Sequence, residues 1–401
     1  MSKRRRRQPN LTVVDLFAGC GGLSYGLMKA GWKGVIAIEK DPMAFATLKH
    51  NLVDMEEHFA WPKWLPTTSH DIKKVIRKYP SELKKLAGKI TLVAGGPPCQ
   101  GFSVNGKRQE KDQRNRLVKS YVAFVKIVKP KLLLFENVRG FTMEFAKNGS
   151  GEIYSDKVCK LLRKLGYDVF ADVIDFAGYG VPQRRRRYIL VGTLKGSAKA
   201  FFKLIKKQKV GFLKRKGLPT RCTVSQAIRD LQKCNGLIKS PDSKSFLAGT
   251  YSTPQSRYQR FLREGVISEV PDSHRFAKHE KSTVRRFRDI LRRAPKAKQI
   301  SEELKAKYKL KKRSITPLCA NSVSPTLTSL PDDYIHYSEP RILTVREYAR
   351  LQSFPDRFEF KGKYTTGGKL RRLEVPRYTQ IGNAIPPLFA EQAGLALRKL
   401  L

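Results

Sequence analysis

The chain has 401 residues, 40% of them hydrophobic and 10% aromatic, which excludes a largely disordered protein and allows one large domain with a smaller one. Lysine and arginine number 81 against 34 aspartates and glutamates, so the formal net charge is +47. This surplus favours a nucleic-acid partner, although a basic surface that serves only solubility would give the same composition.

The sequence also argues against membrane insertion and secretion. No apolar stretch approaches the roughly 20 residues that a membrane-spanning helix needs. The basic residues Arg4 to Arg7 are not followed by the apolar segment of a secretory signal. We predict that residues 1–10 form a disordered basic arm that contacts phosphates, while a nuclear localisation signal would look similar. The expected location is the cytoplasm and nucleoid of a bacterial cell, or the nucleus of a eukaryotic one.

The six cysteines indicate reduced thiols rather than a metal site. No two of them form a Cys-x-x-Cys pair, and no histidine lies near them at the spacing of metal ligands, so no metal is expected. A single cysteine of this kind is more often a small buried hydrophobic residue than a functional thiol. The cysteines are Cys20, Cys99, Cys159, Cys222, Cys234 and Cys319.

Short apolar segments alternate with amphipathic ones from about residue 11 to residue 192. Strands are predicted at 11–17, 34–39, 90–94, 131–136, 167–175 and 187–192. Helices are predicted up to about residue 30, at 117–128, up to residue 166 and, after the last strand, at 388–401. Such alternation is typical of an α/β fold in which helices cover both faces of a mostly parallel sheet.

Residues 195–320 have a different composition, rich in lysine and arginine and poor in long apolar segments. Positive charge is concentrated at 203–216, 278–293 and 305–313. This indicates a smaller domain of loops and short elements with a basic face, and a solvated insertion is the alternative interpretation.

A glycine-rich segment follows the first predicted strand. In Asp15-Leu16-Phe17-Ala18-Gly19-Cys20-Gly21-Gly22-Leu23, glycines let the backbone approach a ligand at a helix N-terminus. The dinucleotide fingerprint is not met, because Ser24 stands where it requires glycine. Glu39 closes the next strand, where a carboxylate accepts hydrogen bonds from a ribose diol, and Asp71 suits an adenine amino group. Each acid alone is as often a solvated cap, but together they predict a nucleoside cofactor, with S-adenosylmethionine fitting better than NAD.

Cys99 differs from the other cysteines in its setting. It lies in Gly95-Gly96-Pro97-Pro98-Cys99-Gln100-Gly101-Phe102-Ser103, where two prolines fix backbone φ angles after a strand. A structural cysteine usually lies within an apolar segment, whereas this loop would hold a thiol at the carboxyl edge of the sheet. Because thiolates are strong nucleophiles, Cys99 is a candidate nucleophile.

Two further segments contribute polar side chains to strand ends. Glu136 ends the apolar strand Leu132-Leu133-Leu134-Phe135, and partial burial there would raise the pKa of its carboxyl and favour the protonated form. In the run from Gln183 to Arg187, alternation along the strand places Arg185 and Arg187 on one face. A solvated strand end and a phosphate-facing basic run are the alternatives to a catalytic pocket.

With these motifs in this order, the chain resembles the DNA cytosine-5 methyltransferases over nearly its whole length. Further matching segments are Asp112-Gln113-Arg114-Asn115 with Leu117, Glu136-Asn137-Val138, Arg341 to Glu347, Leu351 to Pro355 and Gln380 to Pro387. The resemblance implies the S-adenosylmethionine-dependent methyltransferase fold, a Rossmann-like, doubly wound mixed sheet of the α/β class. It also implies a catalytic domain at 11–192 plus 376–401 and a basic target-recognition domain at 193–375. Asn321 to Thr328 resembles the end of the family's variable recognition region.

The resemblance implies the chemistry as well. Cys99 adds to carbon 6 of a flipped-out cytosine, Glu136 holds a proton to ring N3, and the Arg185 and Arg187 guanidinium groups hold O2 and the intermediate. The methyl group comes from S-adenosylmethionine. The expected cofactor contacts are Asp15, Phe17, Gly19, Gly21, Gly22, Leu23, Glu39, Asp71, Pro98, Leu117, Asn383 and Ala384.

Two other functions share parts of this pattern. A tRNA cytosine-5 methyltransferase has the same motif set, but Gly101-Phe102-Ser103 and the long basic region favour DNA. A DNA-binding protein on a retired methyltransferase scaffold would not need the complete set of nucleophile, acid and arginines that is present. We therefore expect an enzyme of the type II restriction-modification kind that methylates a specific sequence in double-stranded DNA. It is expected to act as a monomer and to protect host DNA from a cognate restriction endonuclease.

Overall fold

A six-stranded sheet organises the part of the chain that the computed structural model describes, namely residues 11–98, 115–143, 153–310, 314–368, 370 and 373–401. The basic arm predicted at residues 1–10 and the candidate nucleophile Cys99 lie outside those residues. The strands of the sheet are β1 (Thr12–Leu16), β2 (Lys33–Ile38), β3 (Leu92–Gly95), β4 (Leu132–Val138), β5 (Asp168–Asp175) and β6 (Arg186–Thr193).

The sheet is mixed, with the strand order β2-β1-β3-β4-β6-β5. Strands β2, β1, β3 and β4 run parallel, whereas β6 pairs antiparallel with both β4 and β5. All six predicted strands form, each with ends within two residues of the prediction, and the predicted mixed α/β sheet is confirmed. Because β6 is antiparallel, its first residues reach the edge at which β4 ends.

Helices lie on both faces of this sheet and in the segment that follows its last strand. In the first half of the chain they are α1 (Gly22–Lys29), α2 (Pro42–Leu48), α3 (Ile72–Lys78), α4 (Pro80–Lys85), α5 (Asn115–Val128), α6 (Tyr154–Lys164) and α7 (Lys199–Arg215). In the second half they are α8 (Val224–Ile228), α9 (Arg257–Leu262), α10 (Lys281–Arg293), α11 (Glu302–Lys307), α12 (Val345–Leu351), α13 (Arg377–Asn383) and α14 (Pro387–Arg398). Two small sheets join β7 (Leu237–Lys239) to β8 (Leu247–Gly249) and β9 (Thr316–Pro317) to β10 (Tyr334–Ile335).

The central strands contribute alternate residues to two separate cores. Val13 and Leu134 belong to the core that includes side chains of α1, α7 and α14. Their neighbours Val14 and Leu133 belong to the opposite core, formed with α3, α4, α5 and α6. Successive side chains of a strand point to opposite faces, so strands covered on both faces form continuous apolar runs.

The end of the chain returns to its beginning, because α14 packs directly on α1. A Cβ atom added at Gly26 of α1 would lie 2.4 Å from the backbone oxygen of Pro387 and from the Cβ of Ala390. The two helices therefore approach too closely for any side chain at residue 26. This contact brings the segment around residue 384 to the glycine-rich loop after β1.

The hydrophobic core extends past residue 193, the predicted start of the target-recognition domain. Helix α7 packs on β5 and on α14, and the core that contains Val13 also contains Val224, Tyr258 and Tyr348. Helix α10, by contrast, buries Phe287 and Ile290 in a small cluster of its own. The boundary at 193 remains a prediction, and the packing shows that α7 is attached to the sheet.

Two further findings concern the described ranges only. None of their helices combines the length and the apolar character that crossing a membrane requires. They also contain no group of three or more histidine, cysteine, aspartate or glutamate residues arranged to hold a metal ion.

Candidate active site

The candidate site lies where the parallel strands end and β6 begins. In the sheet register Gly95 of β3 lies beside Phe135 of β4, so Glu136 is the first β4 residue beyond the last paired residue of β3. On the other side of β4, Val138 pairs with Arg187 of β6. Side chains two residues apart on neighbouring strands are within reach of each other, so Glu136 and Arg187 meet at this edge.

Glu136 and Arg187 form a largely buried ion pair. The Nε of Arg187 lies 3.0 Å from Oε1 of Glu136, and the two side chains are 12% and 11% exposed, respectively. Burial raises the pKa of the Glu136 carboxyl, and the nearby charges of Arg187 and Arg185 offset only part of this effect. The carboxyl is therefore easier to protonate than an exposed glutamate.

The loop after β3 contacts this acid. A Cβ atom at Gly96 would lie 2.8 Å from Oε2 of Glu136, so a larger residue there would displace the carboxyl. The Nδ2 of the buried Asn137 donates to the backbone oxygen of Pro97 at 3.4 Å. The loop leads within two residues to Cys99, which lies outside the described residues. The sequence prediction missed the contacts of Gly96 and Asn137, although both belong to motifs that it quoted.

Arg185 is placed differently from Arg187. Its side chain is buried, and its Nη2 donates to the backbone oxygen of Gly382 at 2.9 Å. Its Nη1 lies 3.5 Å from the backbone oxygen of Leu327. Gln183, also buried, accepts from the Leu327 N–H at 2.9 Å. Gln183 and Arg185 thus bond the segments around Leu327 and Gly382, while Arg187 contacts Glu136.

Asp15 is a buried carboxyl at the end of β1. The hydroxyl of Ser24 donates to its Oδ2 at 2.6 Å, while its Oδ1 is buried and has no hydrogen-bond partner among the described residues. Burial raises the pKa of Asp15 to about 7. Ser24 was noted in the sequence only as a departure from the dinucleotide fingerprint, and its bond to Asp15 is a contact that the prediction missed.

The glycine-rich loop is tied to Glu39. Phe17, Gly19 and Gly21 have positive φ angles of 60°, 56° and 92°. Glycine adopts such angles without strain, whereas Phe17 adopts one at a steric cost. The N–H of Gly19 donates to Oε2 of Glu39 at 2.9 Å, and the N–H of Asp41 donates to Oε1 at 2.8 Å. Both oxygens are therefore oriented by backbone groups at the end of β2. Burial raises the pKa of Glu39.

The structure brings the last motif to this loop. A Cβ atom at Gly22 would lie 2.6 Å from the backbone oxygen of Ile385 and 3.4 Å from the Cβ of Ala384. Leu23 is buried in the core, Ala384 is half-buried, and Asn383 at the end of α13 is exposed. Of the two predicted contacts in this motif, Ala384 touches the loop and Asn383 has an exposed side chain.

The remaining predicted cofactor contacts lie at helix ends and on a loop. Asp71 caps α3 by accepting from the N–H of Lys73 at 2.9 Å, and Lys40 lies 3.1 Å from its other oxygen. Partial burial acts to raise the pKa of Asp71, but the Lys73 hydrogen bond and the Lys40 ion pair outweigh it and lower the pKa. Pro98 is exposed, and Leu117 on α5 is half-buried against the core below that helix.

Comparison with known families decides what kind of protein this is. The model of the C-5 cytosine-specific DNA methylase family matches residues 11–399. The chain belongs to this family. It is therefore a DNA cytosine-5 methyltransferase, as the motifs predicted.

Individual relatives agree along most of the chain. The type II methyltransferase M.DdeI of Desulfomicrobium norvegicum is 32% identical over 392 residues, covering 95% of this chain and 87% of the relative. M.XorII of Xanthomonas oryzae pv. oryzae is 33% identical over 426 residues, covering 97% and 84%. A crystal structure of a prophage-encoded E. coli protein assigned as a DNA modification methyltransferase is 25% identical, with a TM-score of 0.68 and coverage of 97% and 99%. The methyltransferase is thus of the type II restriction-modification kind.

The methyltransferase should lose stability with rising pH because of Asp15. The folded chain holds the Asp15 proton up to a pKa of about 7, against about 3.9 for an exposed aspartate, so stability present at low pH is lost as pH rises through 7. We expect the free energy of unfolding to fall by about 2–3 kcal/mol more between pH 5 and 8 in the wild type than in Asp15→Asn. Urea unfolding across this range measures the difference.

A matched control uses an exposed carboxyl. Asp54 is 45% exposed and pairs with Lys49. The variant Asp54→Asn should show the same pH dependence of the free energy of unfolding as the wild type. If the free energy of unfolding changed with pH in the same way in the wild type and in Asp15→Asn, the raised pKa of Asp15 would be refuted.

Proposed function

We propose that the methyltransferase takes its methyl group from S-adenosylmethionine and transfers it to carbon 5 of a flipped-out cytosine in duplex DNA, with Cys99 as the nucleophile. One observation carries the proposal. Glu136 is a buried acid with a raised pKa, held by Arg187 and packed against the loop that leads into Cys99. Such an acid is suited to donating a proton to a ring nitrogen at neutral pH.

The residues around β1 and β2 suit the cofactor. Asp15 Oδ1 has no hydrogen-bond partner in the part of the chain that the structure describes and could contact a polar group of the cofactor, and Glu39 has its carboxylate oriented by two backbone N–H groups. When bound, S-adenosylmethionine supplies a methyl group on a positively charged sulfur. We assign its contacts to Asp15, Phe17, Gly19, Gly21, Gly22, Leu23, Glu39, Asp71, Pro98, Leu117, Asn383 and Ala384.

The protein groups prepare the base for this transfer. Addition of the Cys99 thiolate to carbon 6 makes carbon 5 nucleophilic, and Cys99 leaves again when carbon 5 has lost its proton. Protonated Glu136 donates to ring N3 and offsets the charge that the ring gains. Arg187 holds Glu136 and is the arginine we assign to the base. Arg185 bonds the backbone of Leu327 and Gly382, so we assign it a positioning role.

The covalent step can be tested without knowledge of the recognition sequence. Duplex DNA copied from genomic template with 5-fluorocytosine in place of cytosine should trap the wild-type enzyme, because fluorine cannot leave as a proton does. Cys99→Ser should form no adduct on a denaturing gel and transfer no labelled methyl group. Cys234→Ser, which changes an exposed cysteine, should behave as the wild type. An adduct with Cys99→Ser would refute the nucleophile, and methyl transfer to tRNA alone would refute the DNA substrate.

The type II relatives support a biological role as well. We infer that the enzyme acts as a monomer on a specific duplex sequence in the bacterial cytoplasm, where it protects host DNA from a cognate restriction endonuclease. Methylation-sensitive sequencing of DNA from a host that expresses the protein would give the recognised sequence. Methylation scattered over all cytosines would contradict a protective, sequence-specific role.

A further inference from the structure

A strongly basic groove lies between α10 and the end of α11. Five cationic side chains and a carboxylate line it, namely Arg285, Arg286, Arg292, Arg293, Lys307 and Asp289. We call this surface the basic groove. Its volume is about 630 Å³, far more than the roughly 30 Å³ that one water molecule occupies in the liquid. The groove is open, because Arg292 is 74% exposed and Arg293 is 55% exposed.

Helix α10 provides a firm base for the groove. Phe287 and Ile290 are buried in a cluster with Ile315 and Ile335, which β9 and β10 bring together. The helix is therefore anchored by its apolar side, while Arg285 and Arg292 on the other side are exposed. Its burial pattern is that of an amphipathic helix whose polar side carries five arginines.

Asp289 gathers the cationic groups. Its Oδ1 lies 3.0 Å from Nη2 of Arg292 and 2.8 Å from Nε of Arg293, and its Oδ2 lies 2.9 Å from Nζ of Lys307. The hydroxyl of Tyr308 donates to the same Oδ2. These bonds lower the pKa of Asp289, so the carboxylate stays ionised. Exposed ion pairs contribute little one by one, but a carboxylate shared by three cations forms a network that offsets their mutual repulsion and favours their clustering before any ligand arrives.

We propose that the basic groove is a preformed surface for the phosphates of duplex DNA, with Asp289 as the positioning residue. Arg285 and Arg292 are seven residues apart, which is about 10 Å along the helix axis. A length of about 10 Å along the duplex axis spans about three phosphates of one DNA strand, which are spaced by about 3.4 Å in that direction. Each guanidinium has five N–H donors, so contact with Asp289 leaves donors on Arg292 and Arg293 for phosphate oxygens. The inference rests on the proposed DNA substrate and adds a backbone contact that carries no base information.

The first test removes two groove arginines. Binding of a fluorescent duplex of arbitrary sequence is measured by anisotropy between 50 and 200 mM salt for the wild type and for Arg285→Ala/Arg292→Ala. The slope of log Kd against log salt concentration should fall by about 2 in the variant, and affinity should fall equally for all duplex sequences. Lys203→Ala/Lys207→Ala, which removes the same charge from exposed positions of α7, should change the slope by less than half as much.

The second test separates a positioned surface from mere positive charge. Asp289→Asn makes the protein more positive by one charge, so simple electrostatic attraction predicts tighter DNA binding. The proposal predicts weaker binding by several-fold, because Arg292, Arg293 and Lys307 lose their common partner. Thermal unfolding of each variant checks that the fold is intact.

The outcomes distinguish the two proposals from each other. Equal slopes for the wild type and Arg285→Ala/Arg292→Ala, or a loss of affinity confined to tRNA, would overturn the basic groove as a duplex contact even if the wild type methylates DNA. Tighter binding by Asp289→Asn would overturn the positioning role. A wild type that binds duplex through the groove but transfers no methyl group to it would leave the groove standing and refute the proposed function.

Discussion

Glu136→Gln is expected to lower kcat for methyl transfer to genomic duplex DNA by about 10²–10⁴-fold. Glutamine keeps the shape of the side chain and can still donate a hydrogen bond, but it has no ionisable proton to give to ring N3. The Glu136 carboxyl is buried and its pKa is raised, so the wild type has the proton available near neutral pH. Transfer of labelled methyl groups at saturating DNA measures the loss.

The pH profile identifies the reason for that loss. Because the protonated acid is the active form, wild-type kcat should fall as pH rises through the pKa of Glu136, and this limb should be absent in Glu136→Gln. Glu391 on α14 is a matched control. It is also partly buried, its pKa is raised, and its carboxylate lies 3.0 Å from the ammonium group of Lys216. Glu391→Gln should keep kcat within about twofold. A Glu136→Gln enzyme with more than a tenth of wild-type kcat would contradict the proton-donor role.

The pairing of Glu136 with Arg187 shows which parts of the site could be predicted from the sequence. The apolar run before Glu136 predicted a strand end with a buried acid, and alternation put Arg185 and Arg187 on one face. Nothing local to residues 183–193 fixes the direction of β6, because antiparallel pairing with β4 depends on distant parts of the chain. That direction brings Arg187 to Glu136. The separate bonds of Arg185 to Gly382 and Leu327 likewise depend on segments more than 140 residues away.

Ser24 shows a different limit of the sequence. A motif comparison treats position 24 as a mismatch with glycine, whereas the folded chain uses its hydroxyl as a partner for Asp15. The strands, in contrast, were predicted within two residues, because a strand covered on both faces needs a continuous apolar run that is visible in the sequence. Buried polar contacts have no such periodic signal.

Buried arginines were not predictable from the sequence for a related reason. Arginine is almost never fully buried unless it is paired, and Asp272 and Asp230, which pair with Arg346 and Arg350, lie 74 and 120 residues away in the chain. Arg346 pairs with Asp272 at 2.8 Å, and Arg350 bonds Asp230 and Asp356, all within the folded interior or at its margin. In the sequence, the segment from Arg341 to Pro355 shows only a family motif. In the structure, Arg346 and Arg350 of this segment form ion pairs, and Arg350 links α12 to Ala227 of α8 and to Asp230 just after it.

Arg350→Ala is expected to lower the free energy of unfolding by about 3–5 kcal/mol. Arg350, Asp230 and Asp356 are each buried, and Nη2 of Arg350 lies 3.0 Å from Asp230 and 2.6 Å from Asp356. Removing the guanidinium takes the nearest counter-charge from two buried carboxylates, which keep only the longer contacts of Arg263 with Asp230 at 3.5 Å and of Arg346 with Asp356 at 3.8 Å. Methionine keeps most of the packing of the arginine side chain but not its charge. Because the lost charge accounts for most of the expected cost, Arg350→Met should be nearly as destabilising as Arg350→Ala.

Two further variants separate lost charge pairing from a damaged fold. Lys49 pairs with Asp54 at 2.8 Å but is 41% exposed, and Lys49→Ala should cost less than about 1 kcal/mol because exposed ion pairs contribute little. Adding Asp230→Asn and Asp356→Asn to Arg350→Met removes the stranded charges and should recover part of the stability. If the triple variant is less stable than Arg350→Met alone, the carboxylates are not the source of the cost. Recovery would mean that the unpaired carboxylates, and not the loss of the arginine itself, destabilise the interior. Urea unfolding of the wild type and the four variants decides between these results.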